Sequence, residues 1–328
     1  MIEWSDEQLQ MQEAVREFVQ REVVPLRDDL EHGDLAPYDL LRRYVQTFGI
    51  DEMARERYRR EQAGDSFTTE ERYDRAVMTL LPMVEFCRHS PGLITAMGVS
   101  MNLAGNAVKK GTPEQRERWA VSLLTLDKVG AWAITEPDSG SDAFGGMRSS
   151  AVRDGDSFVL NGSKTFITNG PYADTTVFIC KLDDGETPMR ERRVLSFVLD
   201  RGMPGFEQSP PLRKMGLHSS PTGQLFLTDV EVGIDRLIGG PASLGAGPTS
   251  GAGGERSEAD TRRSRAAARA AFASERASIA AMALGMIEQC LDVAVDYAKS
   301  RVQFGRPIGE FQLIQNKLAL MEVARVNV

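Results

Sequence analysis

The sequence predicts an α+β protein with a helical N-terminal domain, a small β-domain in the middle and a helical bundle at the C-terminal end. Three observations carry this. Apolar residues recur at helical spacing up to about Lys110; from Gly130 to about Val232 the period switches to two; and from Phe272 the helical spacing returns. At 328 residues the chain is long enough for two or three domains with substantial cores. The composition divides it into an all-α domain over 1–129, a β-domain over 130–235, a flexible linker over 236–271 and a helical domain over 272–328.

The first helix is expected over Ser5–Leu30, where Leu9, Met11, Val15, Phe18 and Val19 form an apolar stripe behind a Ser5-Asp6 cap. Leu40–Phe48 repeats the pattern, and Asp51–Glu71 is so charged that it reads as a solvated helix or loop. Tyr73–Phe86 and Gly92–Lys110 are two further helices, the second nearly apolar all round and therefore buried. Thr112-Pro113-Glu114 opens a short helix with a threonine cap and proline at the first helical position. Strands are expected at Phe158–Leu160, Val177–Lys181, Val194–Leu199 and Gln224–Val230. Asp154-Gly155 and Asn161-Gly162 read as hairpin turns, since both pairs tolerate positive φ. Gly239–Ala271, rich first in Gly, Ser, Ala and Pro and then in Arg and Ala, reads as a linker running into a helical lead-in, its Arg262, Arg263, Arg265 and Arg269 solvated. Helical periodicity continues to Val328, so the last domain is expected to be incomplete.

Composition narrows the function. A net charge of −8 disfavours a nucleic-acid partner. Three scattered cysteines and three scattered histidines suggest neither a disulfide framework nor a metal site. The acidic, amphipathic start MIEWSDEQLQ does not resemble a signal peptide, and the most apolar stretch, Gly92–Val108, is short and broken by polar residues. A cytoplasmic protein with no membrane span is expected. No strand-linked G-x-G-x-x-G occurs, which disfavours a nicotinamide enzyme.

Two motifs carry the chemistry. Ala133–Asp142 reads AITEPDSGSD, and Asn161–Gly170 reads NGSKTFITNG. Together they place two threonines, an aromatic and a Gly-Ser turn at the ends of β-patterned runs, an edge suited to a flat, hydrogen-bonding ring. In this order they resemble the acyl-CoA dehydrogenase family, as do Arg213–Thr222 and the R-x-Q-F-G segment from Arg301. The resemblance implies FAD as cofactor, an acyl-CoA substrate and electron transfer to an electron-transfer flavoprotein. Ile134, Thr135, Phe166 and Thr168 would line the flavin, Phe166 standing where most relatives have tryptophan. Ser141 would touch the pantetheine or phosphate of the substrate. Arg301, Gln303, Phe304 and Gln312 would reach into a neighbouring subunit to hold the FAD pyrophosphate and adenosine, which requires an oligomer, either a homodimer or homotetramer or a heteromer with a homologous chain.

For the base, a smaller branch of the family places a glutamate immediately before a substrate-binding arginine, which implies Glu275 and Arg276. In most of the family the glutamate comes later, at a position this sequence does not reach. An acid in the first turn of a helix from Phe272 would also be favoured by the helix dipole, whatever its chemistry. Two other functions fit the same motifs: a non-catalytic or half-site subunit of a heteromer, and a related flavoenzyme that acts on acyl carrier protein or uses oxygen.

Overall fold

The computed structural model describes residues 4–245 and 258–328, and of 258–277 only Arg276 beyond the backbone. In chain order its helices are α1 (Asp6–Phe18), α2 (Arg27–His32), α3 (Tyr38–Thr47), α4 (Ile50–Ala63), α5 (Thr69–Cys87), α6 (Pro91–Gly98), α7 (Gly105–Val108), α8 (Pro113–Gln115), α9 (Val121–Leu124), α10 (Ala143–Gly146), α11 (Ala242–Gly245), α12 (Glu258–Ser300) and α13 (Gln312–Asn327). The strands are β1 (Gly130–Ala133), β2 (Ser150–Asp154), β3 (Ser157–Thr168), β4 (Thr175–Asp183), β5 (Val194–Asp200), β6 (Phe206–Gln208), β7 (Thr222–Gly233), β8 (Val302–Gln303) and β9 (Arg306–Pro307). They form two compact units.

The first unit gathers Met1–Asp34, Ser66–Ile94 and Ala267–Val328. Ser5 caps α1 in a reciprocal box with Gln8. The single helix expected to Leu30 is broken: after Phe18 the chain makes a π-turn over Val19–Val23 and a 3₁₀ turn over Val24–Leu26 before α2. Pro25 stands in the 3₁₀ turn and has no N–H, so one i→i−4 bond is missing at that break. The helix expected from Tyr73 begins at Thr69, because Thr68 and Glu71 form a second capping box. Phe18 of α1 meets Phe86 of α5 at 6.3 Å between ring centres. Beside them Glu85, 1% exposed, accepts from Gln12 at 2.7 Å and from both Nε and Nη2 of Arg16 at 3.0 Å, the fully hydrogen-bonded arrangement a buried carboxylate needs.

Helix α12 begins at Glu258 rather than Phe272. Glu275 therefore stands several turns inside it and not in its first turn, and the dipole effect, which fades within that turn, does not reach it. Its side chain, like those of Arg262, Arg263, Arg265 and Arg269, lies outside the described residues. Where α12 crosses α5, a Cβ on Gly285 would stand 2.1 Å from the Val84 carbonyl oxygen, so the close approach requires glycine. One turn on, Arg88, the C-cap of α5, binds Glu288 at 2.8 Å and also Asp292. The stretch Ser278–Ser300, not Gly92–Val108, is long and apolar enough to cross a membrane by length and composition, with a mean hydropathy of 1.5. Two of its carboxylates are engaged by Arg88, and charged groups in lipid are costly.

The second unit comprises Leu35–Asp65 and Thr95–Ala266. Gly49, in the left-handed region, separates α3 from α4, and the charged stretch after Ile50 is helical as far as Ala63. The buried run expected from Gly92 to Lys110 is α6, a π-helical stretch over Val99–Ala104, and α7. Thr112 caps α8 through a third box with Gln115.

The sheet has seven strands in the order β1-β4-β2-β3-β7-β6, with β5 on the other side of β4. β1 and β2 run parallel to β4, and the other pairs are antiparallel. Phe158, Leu160, Phe178, Phe197, Leu199 and Leu225 pack its main core, while Trp119 and Leu123 face Val177 and Val198 in a second. The Asp154-Gly155 turn is present, with Gly155 at φ 60°. Asn161-Gly162 is not a turn. It lies within β3, where the pairing with β7 slips between Leu160 and Gly162. Gly162, at φ 149°, leaves room for Ser149, whose Oγ would be 2.3 Å from an added Cβ. Asn161 exchanges two side-chain bonds at 2.9 Å with Asp229 across the irregularity.

Candidate active site

Beyond β1 the chain continues through Ile134 and Thr135, both half-buried. The Thr135 carbonyl accepts from the Thr165 amide at 2.9 Å, which ties this exit to β3. Lys164, with a fully buried side chain, donates from Nζ to the Ile134 carbonyl at 3.1 Å and to Glu136 Oε1 at 2.8 Å, 5.1 Å from the centre of the Phe178 ring. Glu136 also accepts from the amides of Arg148 at 2.6 Å and Ser149 at 3.0 Å. Burial favours the neutral carboxyl, but the bonds from Lys164, Ser149 and the Arg148 amide outweigh it and hold Glu136 below its ordinary pKa. Burial lowers the Lys164 ammonium, and the Glu136 carboxylate offsets only part of that.

The pairing of β3 with β7 slips again between Lys164 and Ile167. In an unbroken strand, Phe166 would share the inward face of Lys164. The bulge turns it outward: Lys164 and Thr165 are both buried, Phe166 is 69% exposed at φ 57°, Ile167 is buried and Thr168 half-buried. Asn169 then closes the strand, also in the left-handed region. Its amide donates to the carbonyls of Ala96 and Gly130 at 2.9 Å, and its Oδ1 accepts from Tyr38 Oη at 3.0 Å. Ile134, Thr135, Phe166 and Thr168 thus form one edge, pinned at either end by buried polar groups. Ser141 is exposed, following a tight Glu136–Ser139 bridge. Nearby, an open cleft of about 300 Å³ is lined by Glu136, Asp138, Arg148, Ser149, Gly162 and Ser163.

The other expected residues lie in the first unit. Arg301, Gln303 and Phe304 sit on the β8–β9 hairpin and Gln312 at the start of α13, all exposed. Phe304 and Gly305 both have positive φ, 53° and 79°, as a tight I′-type turn requires. Phe304 is 94% exposed, touching Phe311 edge-on at 6.1 Å, and Arg306 stacks over the Phe311 ring at 4.3 Å. Arg276 is exposed on α12, separated from Arg301 by 25 residues, or ~37 Å of helix. The hairpin and the Glu275-Arg276 pair are therefore far apart within one chain. Among the described residues no cluster suits a metal ion.

Sequence reasoning assigned no part to Lys164, Glu136, Asn169 or Tyr38. A signal was available for one of them: Lys164 falls on the inward parity set by Phe158 and Leu160, where an ammonium demands a buried carboxylate.

Comparison with known proteins bears on what this edge serves. Three family models match the chain: acyl-CoA dehydrogenase N-terminal domain over residues 5–127, middle domain over 131–230 and C-terminal domain over 265–327. An acyl-CoA dehydrogenase of Bacillus subtilis is 32% identical over 322 residues, covering 97% of this chain and 75% of the relative. The chain belongs to the acyl-CoA dehydrogenase family. Among solved structures of acyl-CoA dehydrogenases, butyryl-CoA dehydrogenase from Megasphaera elsdenii superposes with a TM-score of 0.77 at 27% identity, over 100% of this chain and 78% of that one. An acyl-CoA dehydrogenase from Bacillus anthracis, solved in complex with FAD, gives 0.76 at 26% identity over 97% of this chain and 49% of its own. The matched middle domain contains the whole Ile134–Thr168 edge.

Proposed function

We propose that this chain is an FAD-dependent acyl-CoA dehydrogenase that introduces an α,β double bond into an acyl thioester and passes electrons to an electron-transfer flavoprotein. The observation that carries the reading is the β3 bulge, which presents Phe166 outward between the Thr135 and Thr168 positions. An aromatic face flanked by hydroxyls suits a flat heterocycle with polar edges. When bound, FAD would supply the hydride acceptor for the β-hydrogen. Ile134, Thr135, Phe166 and Thr168 would line the flavin, the two hydroxyls bonding ring heteroatoms and Phe166 covering a face, and Ser141 would meet the pantetheine or phosphate of the substrate. Glu275 takes the α-proton, and Arg276 helps hold the thioester.

Arg301, Gln303, Phe304 and Gln312 hold the FAD pyrophosphate and adenosine of a second copy. The ~37 Å of helix between Arg276 and Arg301 supports this assignment, because one FAD would not meet both ends of it. The protein then works as a homo-oligomer.

The test is an anaerobic spectrum of the purified chain with a panel of acyl-CoAs, in parallel with Glu275→Gln. Bleaching of the flavin in the parent but not in the variant is expected. A parent that carries no flavin, or one that carries it and is bleached by none of the thioesters, rejects the proposal. A variant that bleaches as fast as the parent rejects Glu275 as the base.

A further inference from the structure

The Lys164–Glu136 pair needs its own explanation. Two opposite charges buried inside a β-domain are seldom worth more to stability than apolar groups of the same size. Each member is satisfied by the other and by backbone. What the pair does is mechanical. Lys164 reaches from the middle of β3 to the Ile134 carbonyl, and Glu136 reaches from the far side of Thr135 to the amides that lead into β2. Thr135 is the residue between these two anchors, and its own carbonyl is held by Thr165. Three segments are locked to one another: the β1 exit, the approach to β2, and β3 just before its second bulge.

We infer that the buried Lys164–Glu136 ion pair is a positioning element that fixes the Thr135 edge against the Phe166 bulge. It acts through Ile134 and Thr135 and touches neither substrate nor cofactor. The inference rests on the cofactor reading above only for its consequence for FAD affinity. The positioning itself is a statement about the chain alone.

The test uses the full chain and the variants Lys164→Met, Glu136→Gln and the double variant. Each single variant leaves a charged or polar group buried without its partner and lowers the melting temperature. The double variant is neutral and of similar volume, so its melting temperature is expected to recover towards that of the parent. A merely structural pair would lose its importance at that point. A positioning pair would not, because methionine has no hydrogen to give the Ile134 carbonyl. In the double variant the Thr165 amide should then exchange with solvent at least about tenfold faster while amides in β4 and β5 keep their rates. The FAD dissociation constant should rise by about tenfold or more.

A folded double variant with Thr165 exchange and FAD affinity within about twofold of the parent overturns the inference. Should the double variant fail to fold, exchange in the unmutated chain decides: the Thr165 amide must be as protected as those of β4, and fraying there overturns the proposal. If the parent binds no FAD, the cofactor reading fails while the exchange data still judge the positioning.

Discussion

Replacing Asn169 with alanine removes three buried hydrogen bonds and places a Cβ-bearing residue without local polar help in the left-handed region. The Ala96 and Gly130 carbonyls each lose one donor, at roughly 1 kcal/mol apiece. Tyr38 Oη is left buried without its acceptor, at about 1–2 kcal/mol. Alanine at φ 64° costs about 1 kcal/mol more than asparagine. The sum is a loss of about 4–5 kcal/mol, to be read from the urea midpoint by circular dichroism at constant m-value. The sharper outcome concerns Tyr38→Phe in that background. By removing the orphaned hydroxyl it should recover about 1 kcal/mol, so that the double variant is more stable than Asn169→Ala, although Tyr38→Phe alone destabilises. A loss below about 1 kcal/mol for Asn169→Ala, or a double variant less stable than the single, would refute the network as the fastening of the β3 end.

Gly285→Ala should destabilise by about 2–3 kcal/mol in thermal unfolding, because its Cβ meets the Val84 carbonyl oxygen of α5. Gly98→Ala, also helical but with nothing within 4 Å of the added atom, should be neutral or stabilise by up to about 1 kcal/mol. Gly162→Ala should cost roughly 2 kcal/mol or more through its clash with Ser149, and Ser149→Gly should restore part of it. His89 is held below the ordinary histidine value of 6.5, first by burial and then by Arg88 and Arg27, with Glu85 opposing. The unfolded chain therefore binds this proton more readily. The contribution of His89 is fully present above pH 6.5 and is lost as pH falls through its lowered value, a slope that His89→Gln should flatten in denaturation series.

Much of this molecule was legible where a residue's role is local. Ser5, Thr68 and Thr112 each cap a helix as their side chains dictate, two of them announced by the sequence, and the strand cores at 158–160, 177–181, 194–199 and 224–230 all appear within longer strands. The resemblance in Ala133–Asp142 and Asn161–Gly170 pointed to the right family for a similarly local reason, since each motif is a short continuous run within the matched middle domain. Legibility failed where the meaning of a residue depends on distant chain. Asn161-Gly162 has the composition of a turn, but Ser149 and Asp229 hold it inside a strand. The inward parity of Lys164 can be read from β3 alone, but its partner, Glu136, lies 28 positions away. The start of α12 was misplaced because small and arginine residues from Glu258 onward carry helix propensity without an apolar stripe to reveal it.

The two irregularities in the β3–β7 pairing have opposite sense. Between Leu160 and Gly162 the additional residue is on β7, where Thr228 and Asp229 are both exposed in succession; between Lys164 and Ile167 it is on β3. They behave as a frameshift and its suppressor: the pairing sum is offset by one only in the short interval between them and is restored on both sides. Deleting Thr165 should remove the second bulge and leave Phe166 outward and Ile167 inward by plain alternation, whereas deleting a residue from a regular stretch of β3 should invert every face beyond it. Deleting one residue at each should leave an ordinary, registered antiparallel pair of β3 and β7. The two shifts bracket Gly162–Lys164, and the second of them is where Phe166 is turned to the outside while Lys164 stays fully buried.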